Sequence, residues 1–365
     1  MSRFRVPFGS PAPREDGPAV RAAIERVVSS GWYVLGPEVS AFEAEFAEAC
    51  GAAHAVGVGT GTDAIALILR ALGIGPGDEV ITTPLSAAYT ALAVMMVGAR
   101  PVFADLDPER LTLDPVAAER AVTSRTRAIL PVHLYGQAAD MAALQQVAAR
   151  HNLALVEDAC QAHLATSDGR PVGTIGVASA FSFYPTKNLG ALGDGGAIVT
   201  GDAALAARLK RLRNGGQTDR YHHIEAGLNT RLDEMQAAVL RARLPFLATW
   251  TARRRAAAAS YRASLLGAPV RVLREVDAGH VYHLFVIRTA HRAALQRHLA
   301  DAGVETLVHY PVPIPRQPAL AAEQPADCPE AARASEEVLS LPMHPGLSER
   351  DIADITASVQ TFAEV

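Results

Sequence analysis

Lysine is nearly absent from this chain. Lys187 and Lys210 are its two among 365 residues, while lysine and arginine together number 34. Arginine serves wherever a positive surface charge is enough, but its guanidinium stays protonated and cannot form an imine. A lysine kept in an arginine-rich chain is therefore a candidate for chemistry that needs an amine. Cysteine is scarce as well: Cys50, Cys160 and Cys328 are scattered, odd in number and form no Cys-x-x-Cys. This supports neither a disulfide framework nor a zinc knuckle, and it suits a reducing cytoplasm. Aromatic residues make up 5%. The net charge of −4 is mild, and Ala252-Arg-Arg-Arg255 is too short a basic block for a nucleic-acid groove. Apolar runs such as Ala91 to Val97 fall well short of a bilayer span. Met1-Ser-Arg-Phe-Arg carries no apolar signal core. Neither a membrane nor a nucleic acid is expected as a partner.

Against these absences stands a regular alternation of short apolar strands and Ala-rich helices. Strands are expected at 79–83, 101–104, 128–132, 153–157 and 197–200, with helices near 16–29, 38–49, 64–72, 87–97, 138–151 and 202–213. That pattern predicts an α/β layer with a mainly parallel sheet. A long helix over 232–263, interrupted near Pro245, leads into strands at 270–273 and 281–287 and helices near 291–302, 329–339 and 348–362. The expected division is a large α/β domain over 1–245, with its N-terminal segment packing on the second domain, and a smaller α+β domain over 246–365.

Ligands of open α/β sheets bind beyond the carboxyl ends of the strands. Lys187 follows the strand-like run Ser179-Ala-Phe-Ser-Phe183 and precedes a glycine-rich segment, a setting that suits a Schiff-base lysine. Taken alone, it also reads as a surface turn lysine. Strand 153–157 runs into Asp158, with Gln161 one turn on. A lysine paired with a strand-end carboxylate fits pyridoxal phosphate, whose pyridine nitrogen needs an acid beside it to stay protonated. Gln161 would touch the phenolic oxygen or flank the ring. Gly57-Val-Gly-Thr-Gly-Thr62 opens a helix and offers Gly61 and Thr62 as phosphate donors. It imitates a dinucleotide fingerprint weakly, with Thr62 at the third glycine position. Ser182 reads equally as a second phosphate hydroxyl or as a strand hydroxyl facing the sheet.

Several blocks occur in order: Gly61-Thr-Asp-Ala64, Val156-Glu-Asp-Ala159 with Gln161 and His163, Ser182-Phe-Tyr-Pro-Thr-Lys-Asn-Leu-Gly190, Gly227-Leu-Asn-Thr-Arg-Leu-Asp-Glu-Met-Gln-Ala-Ala238, His309-Tyr-Pro311 and Leu341-Pro-Met-His-Pro345. Together they resemble the DegT/DnrJ/EryC1/StrS family of sugar aminotransferases, from about residue 8 onward. The resemblance implies a fold-type I, aspartate aminotransferase-like enzyme that uses pyridoxal 5'-phosphate. It implies a homodimer with shared active sites. Carried over, it makes Lys187 the imine-forming lysine and proton shuttle, Asp158 the pyridinium partner, and Ser182, Gly61 and Thr62 phosphate ligands. Asn229 becomes a phosphate ligand reaching across from the second subunit. Tyr184, Arg220, Tyr221, His309 and Tyr310 become nucleotide-sugar contacts, whereas His283 is expected to be structural. The family places an aromatic ring over the cofactor where this chain has alanines; Tyr89, a little later, is the expected substitute.

Related sugar dehydratases carry histidine in place of the lysine, so Lys187 favours transamination. The blocks around 133–137 and 227–236 are more similar to members acting at C3 than at C4. The expected reaction moves an amino group from an amino acid, L-glutamate, to C3 of a dTDP-3-keto-6-deoxyhexose. A C4 enzyme or a UDP-3-keto-uronate enzyme is the alternative within the family. A nicotinamide oxidoreductase would rest on Gly57 to Gly61 alone and leave Lys187 without a task. A non-catalytic regulator with the same fold would be expected to lack Lys187 or Asp158.

Overall fold

The computed structural model describes residues 4–9, 14–320 and 326–363. Helices α1 (Gly17–Ser30) and α2 (Pro37–Ala49) precede the first strand, β1 (His54–Val58). A βα alternation follows: α3 (Gly61–Ala71), β2 (Glu79–Thr82), α4 (Tyr89–Met96), β3 (Arg100–Phe103), α5 (Pro115–Arg120), β4 (Thr126–Leu130), α6 (Met141–His151) and β5 (Ala154–Asp158). A small hairpin, β6 (Thr166–Ser167) and β7 (Arg170–Pro171), leads to β8 (Ala178–Ser182) and β9 (Gly196–Thr200). The main sheet has seven strands among the described residues, in the order β1-β9-β8-β5-β4-β2-β3. Strand β9 pairs antiparallel with both β1 and β8, and the remaining pairs are parallel. The mainly parallel sheet expected from the alternation is present.

Helix α3 shows why the sheet forms where it does. Ile65, Leu67, Ile68 and Leu69 are almost wholly buried on every side of it, as expected of a helix enclosed by protein rather than lying at the surface. Its start is fixed by Thr60, whose hydroxyl accepts from the Asp63 amide, the usual N-cap arrangement.

Past the sheet come α7 (Ala203–Leu212), the hairpin β10 (Gln217–Asp219) and β11 (His222–His223), then α8 (Glu234–Arg243) and α9 (Leu247–Ser264). The interruption expected near Pro245 is a single 3₁₀ turn, Leu244–Phe246, because proline lacks the amide that would continue the helix. The C-terminal part has a three-stranded antiparallel sheet, β12 (Arg271–Val272), β13 (Phe285–Arg288) and β14 (Val338–Leu341). Helices α10 (Arg292–Asp301), α11 (Pro329–Glu337) and α12 (Glu349–Gln360) accompany it. Its core joins Tyr261, Phe285, Leu299, Leu341 and Ile355. Val6 near the N-terminus belongs to the same core and bridges Val304.

Three local expectations differ. The strand expected over 281–287 begins only at Phe285, because Tyr282 has φ 46° and cannot extend the chain. Strand β14 replaces the end of the helix expected to run to 339. The β10–β11 hairpin lies between the expected helices at 202–213 and 232–263, where no strand was expected.

Candidate active site

Strands β5 and β8 lie side by side in parallel, with Asp158 opposite Ala180. Their carboxyl ends therefore bring Asp158 and Ser182 to one edge of the sheet. Adjacent strand residues face opposite sides, and the paired acids of β5 divide accordingly. Glu157 is buried and accepts from the amides of Gly173, Ile175 and Gly176 at 2.7–2.8 Å and faces His133 at 3.1 Å. It ties down the loop before β8. Asp158 is buried on the other face, taking the Thr90 hydroxyl at 2.7 Å and the Cys160 amide at 3.1 Å.

Gly61, the first residue of α3, comes against this edge. An added Cβ there would lie 2.7 Å from Cys160 Sγ and 2.9 Å from Ser182 Cβ, so glycine is required by space. The first-turn amides of Gly61 and Thr62 have no intrahelical acceptors and carry the positive end of the helix dipole. Thr230 holds the turn in place: its hydroxyl accepts from the Gly59 amide at 2.9 Å and donates to Asp63 at 2.8 Å.

Lys187 closes a tight turn after β8, its amide donating to the Tyr184 carbonyl at 2.8 Å. Burial lowers its pKa from the ordinary lysine range, against the opposing pull of Cys160 and Asp158. The next residue, Asn188, anchors the turn through its side chain to the Val281 carbonyl at 3.1 Å and faces His283 Nδ1 at 3.2 Å. Burial first, and then the charges of Lys187 and Arg254, push His283 well below its ordinary value. His163, wholly buried at ring-centroid distances of 5.5 and 5.8 Å from Phe181 and Phe183, is pushed down to about 3 chiefly by burial. Both imidazoles feel the charge of Lys187 as well as their burial.

From the C-terminal part, Tyr310 accepts from the Gln161 side-chain amide at 3.0 Å, while the Gln161 oxygen takes the Tyr135 amide at 2.8 Å. Gln161 has both ends engaged and so positions Tyr310 as well as standing beside Asp158. His309 lies within the field of Lys187 and bonds Ser340 Oγ at 2.9 Å; burial, more than that field, lowers its pKa to about 4. Tyr184 is 53% exposed and Tyr89, at the start of α4, is 64% exposed. Arg220 and Tyr221 sit at the tip of the β10–β11 hairpin. The Arg220 guanidinium is 5.1 Å from the Tyr221 ring centroid, and Tyr221 is 80% exposed. Asn229 is exposed beside Thr230.

The chain thus brings together Gly61, Thr62, Asp158, Gln161, Ser182, Lys187, His309 and Tyr310. Arg220 and Tyr221 are exposed on the β10–β11 hairpin, and Asn229 is exposed next to Thr230, which holds the Gly59–Asp63 turn. Sequence reasoning missed Thr90 and Cys160. Thr90 sits 68 positions from the carboxylate it touches, and the one local signal was its place at the N-terminus of the helix carrying Tyr89.

Asp158 supplies a fit test for pyridoxal phosphate. It is a buried carboxylate whose partners, a hydroxyl and an amide, are neutral, and it forms no ion pair among the described residues. A protonated ring nitrogen would provide the missing cation, and the Gly61 turn with Ser182 offers donors for a phosphate. The residues fit the group.

A seven-stranded, mainly parallel sheet with a lysine beyond β8, beside a smaller antiparallel domain, defines a fold-type I transferase. The DegT/DnrJ/EryC1/StrS aminotransferase family model matches residues 15–360, and the chain belongs to that family. It is 51% identical over 347 residues to dTDP-3-amino-3,4,6-trideoxy-alpha-D-glucose transaminase of Streptomyces venezuelae, covering 94% of this chain and 92% of that one. It is 53% identical over 345 residues to the erythromycin biosynthesis sensory transduction protein EryC1 of Saccharopolyspora erythraea, covering 93% and 94%. Among solved structures, S. venezuelae DesV superposes with a TM-score of 0.93 at 50% identity, covering 95% and 94%. NtdA of Bacillus subtilis with bound PMP superposes with a TM-score of 0.91 at 29% identity, covering 98% and 85%. No helix among the described residues is long and apolar enough to cross a membrane.

Proposed function

We propose that this protein is a pyridoxal phosphate-dependent aminotransferase that moves an amino group from L-glutamate to C3 of a dTDP-linked 3-keto-6-deoxyhexose. The observation that carries the reading is the half-buried Lys187, its pKa lowered by burial, in the electrostatic field of the cation-free carboxylate Asp158. Identity to a dTDP-3-amino sugar transaminase supports C3 and the dTDP carrier. When bound, pyridoxal phosphate supplies an aldehyde for condensation with amines and a protonated ring that takes up an electron pair.

In this reading the chain does the rest. Asp158 keeps the ring nitrogen protonated, fixed by Thr90 and the Cys160 amide. Ser182 and the amides of Gly61 and Thr62 hold the phosphate. Lys187, its pKa lowered by burial, would take the proton from the reacting carbon of the donor in one half-reaction and deliver a proton to the reacting carbon of the acceptor in the other. Tyr89 covers one ring face. His309, Tyr310 and Tyr184 line the sugar, and Arg220 with Tyr221 engages the diphosphate.

The same reading makes the protein a homodimer with shared sites. Trp32, Tyr33, Leu192, Tyr221 and Ile224 are large apolar side chains left exposed, and a second copy would cover them. Asn229 would then reach the partner's phosphate. The reaction is placed in the cytoplasm, where three free thiols are stable. The related EryC1 bears a regulator's name, but a regulator has no need of the lysine and carboxylate assembled here.

The test is a screen of dTDP- and UDP-linked 3-amino and 4-amino sugars against the holoenzyme. Amino sugars that are substrates in reverse bleach the visible cofactor band. A dTDP-3-amino-6-deoxyhexose alone doing so supports the reading; bleaching only by 4-amino or UDP-linked sugars overturns it.

A further inference from the structure

The turn that carries Lys187 runs from Phe183 to Ala191 and closes on itself. Its two limbs are joined where the Ala191 amide donates to the Phe183 carbonyl at 2.7 Å. They meet again at Gly190, where an added Cβ would lie 2.5 Å from the Pro185 carbonyl oxygen. Lys187 sits at the bend between these limbs. Close-packed groups transmit displacement, so a shift of the outgoing limb reaches the incoming one and the residue between them. Asn188 ties the bend to the Val281 carbonyl at 3.1 Å. The outgoing limb has a different anchor.

Gly190 and Ala191 are buried, and buried backbone carbonyls need donors. Arg243, the last residue of α8, supplies them. Its Nη1 donates to the Gly190 carbonyl at 2.5 Å and to the Ala191 carbonyl at 3.3 Å. On the same guanidinium, Nε donates to Asp16 Oδ2 at 2.8 Å. Asp16 stands just before α1, and its other oxygen accepts the Arg14 amide at 2.7 Å. Arg243 is 5% exposed and Asp16 3%. Burying such a pair is costly and often adds no stability over an apolar replacement, and a neutral donor would satisfy a carbonyl. What a guanidinium adds is a rigid planar fork. Here the fork fixes three acceptors at once, two on the lysine turn and one on the N-terminal segment.

We propose that Arg243, neutralised by Asp16, is a positioning residue for Lys187: its fork clamps the outgoing limb of the turn and so fixes where the amine stands at the sheet edge. The inference rests on the aminotransferase reading, in which the same amine must reach a carbon in each of two half-reactions. Proton transfer at a positioned carbon tolerates little displacement of the transferring group. Arg243 acts through the turn, and Asp16 acts through Arg243 by holding the guanidinium in one orientation.

The experiment measures amide hydrogen exchange by peptide mass analysis on the full chain, with and without cofactor, beside steady-state kinetics of the holoenzyme. Arg243→Lys keeps a cation for Asp16 but has no planar fork. The double variant Asp16→Asn/Arg243→Met removes both charges, so no buried ion is stranded, and takes away the donors of the clamp; it decides the matter if the single variant melts early. In both, exchange over 183–191 should rise about tenfold or more while α3 and β5 keep the parent's rates, because only the turn opens. With either variant kcat should fall about tenfold or more, and the KM values for amino donor and nucleotide sugar should stay within about twofold. Exchange over 183–191 within about twofold of the parent in the double variant overturns the clamp. So does a rise shared equally by β8, β9 and α3, which marks a merely structural pair. A raised KM at unchanged kcat makes Arg243 a substrate contact and overturns it as well. Should the turn loosen as expected while the parent transfers no amino group to any nucleotide sugar, the aminotransferase reading falls and the clamp stands.

Discussion

Asp158, Ser182 and Lys187 stand at the ends of two neighbouring parallel strands, whereas Arg220, Tyr221 and Asn229 stand on a hairpin and a loop that leave the sheet. The first group is buried or half-buried, and hydrogen bonds fix Asp158 and the Lys187 turn. The second is exposed, and its clearest internal contact is Arg220 against Tyr221. A floor of this kind can be complete in one chain. A rim of exposed side chains is what the proposed second copy would finish. Floor variants should therefore act on chemistry and cofactor within one subunit. Rim variants should act across subunits.

The largest effect is expected at Lys187. Lys187→Ala should reduce turnover by more than about 10³-fold, since nucleophile and proton shuttle are lost together. Borohydride reduction of the parent holoenzyme followed by peptide mass analysis should locate the cofactor on Lys187. Finding it on Lys210, which pairs with Glu43 at 3.1 Å on α7, would remove the floor from the chemistry altogether.

Asp158→Asn comes next. Asparagine can keep both contacts, accepting from the Cys160 amide and donating to Thr90, so the fold and cofactor content should survive. It cannot hold a proton on the ring nitrogen, and kcat should fall by about 10²–10³-fold. A loss smaller than tenfold would reduce Asp158 to a strand-end anchor.

The rim is tested by mixing. In the proposed homodimer, two subunits both carrying Lys187→Ala, or both carrying Asn229→Glu with its charge repelling phosphate, should be nearly inactive. In a mixed dimer one site carries both lesions and the other neither. Random subunit exchange should therefore restore about a quarter of the parent's sites. Exchange demonstrated by mass, with no activity regained, would place Asn229 in its own subunit's site or in none.

What could be read from residues alone follows the same division. Lys187 and Asp158 were visible because scarcity of lysine and the end of an apolar strand are local signals. Thr90 and Cys160 were not, because packing brings them to the carboxylate and the glycine. Among the elements, β14 was hidden because Val338–Leu341 continues an Ala- and Glu-rich helix without a break residue. Its strand character comes from pairing with β13. The β10–β11 hairpin was hidden because Gln217–His223 is polar and its burial pattern carries no alternation.

Gly61→Ala should weaken the floor without touching the chemistry. The added methyl meets Cys160 Sγ and Ser182 Cβ, and relieving the overlap moves the turn whose amides are proposed to hold the phosphate. The cofactor dissociation constant, followed by the visible band on dilution, should rise about tenfold or more, as expected for losing one or two charge-assisted hydrogen bonds. An unchanged constant would move the phosphate away from α3.

The smallest effect is expected from Thr90→Val. The substitution is nearly isosteric and removes one hydrogen bond, at 2.7 Å, from a carboxylate that is 4% exposed. About 1.5–3 kcal/mol is the usual worth of a hydrogen bond to a charged group. Valine cannot hydrogen-bond the carboxylate, but the Cys160 amide still does, so the lower end applies and kcat should fall roughly tenfold. Rescue separates this role from simple packing. Thr90→Ser keeps the hydroxyl and should restore the rate. If serine fails where valine fails, the methyl group and not the hydroxyl matters, and Asp158 is held by the Cys160 amide alone.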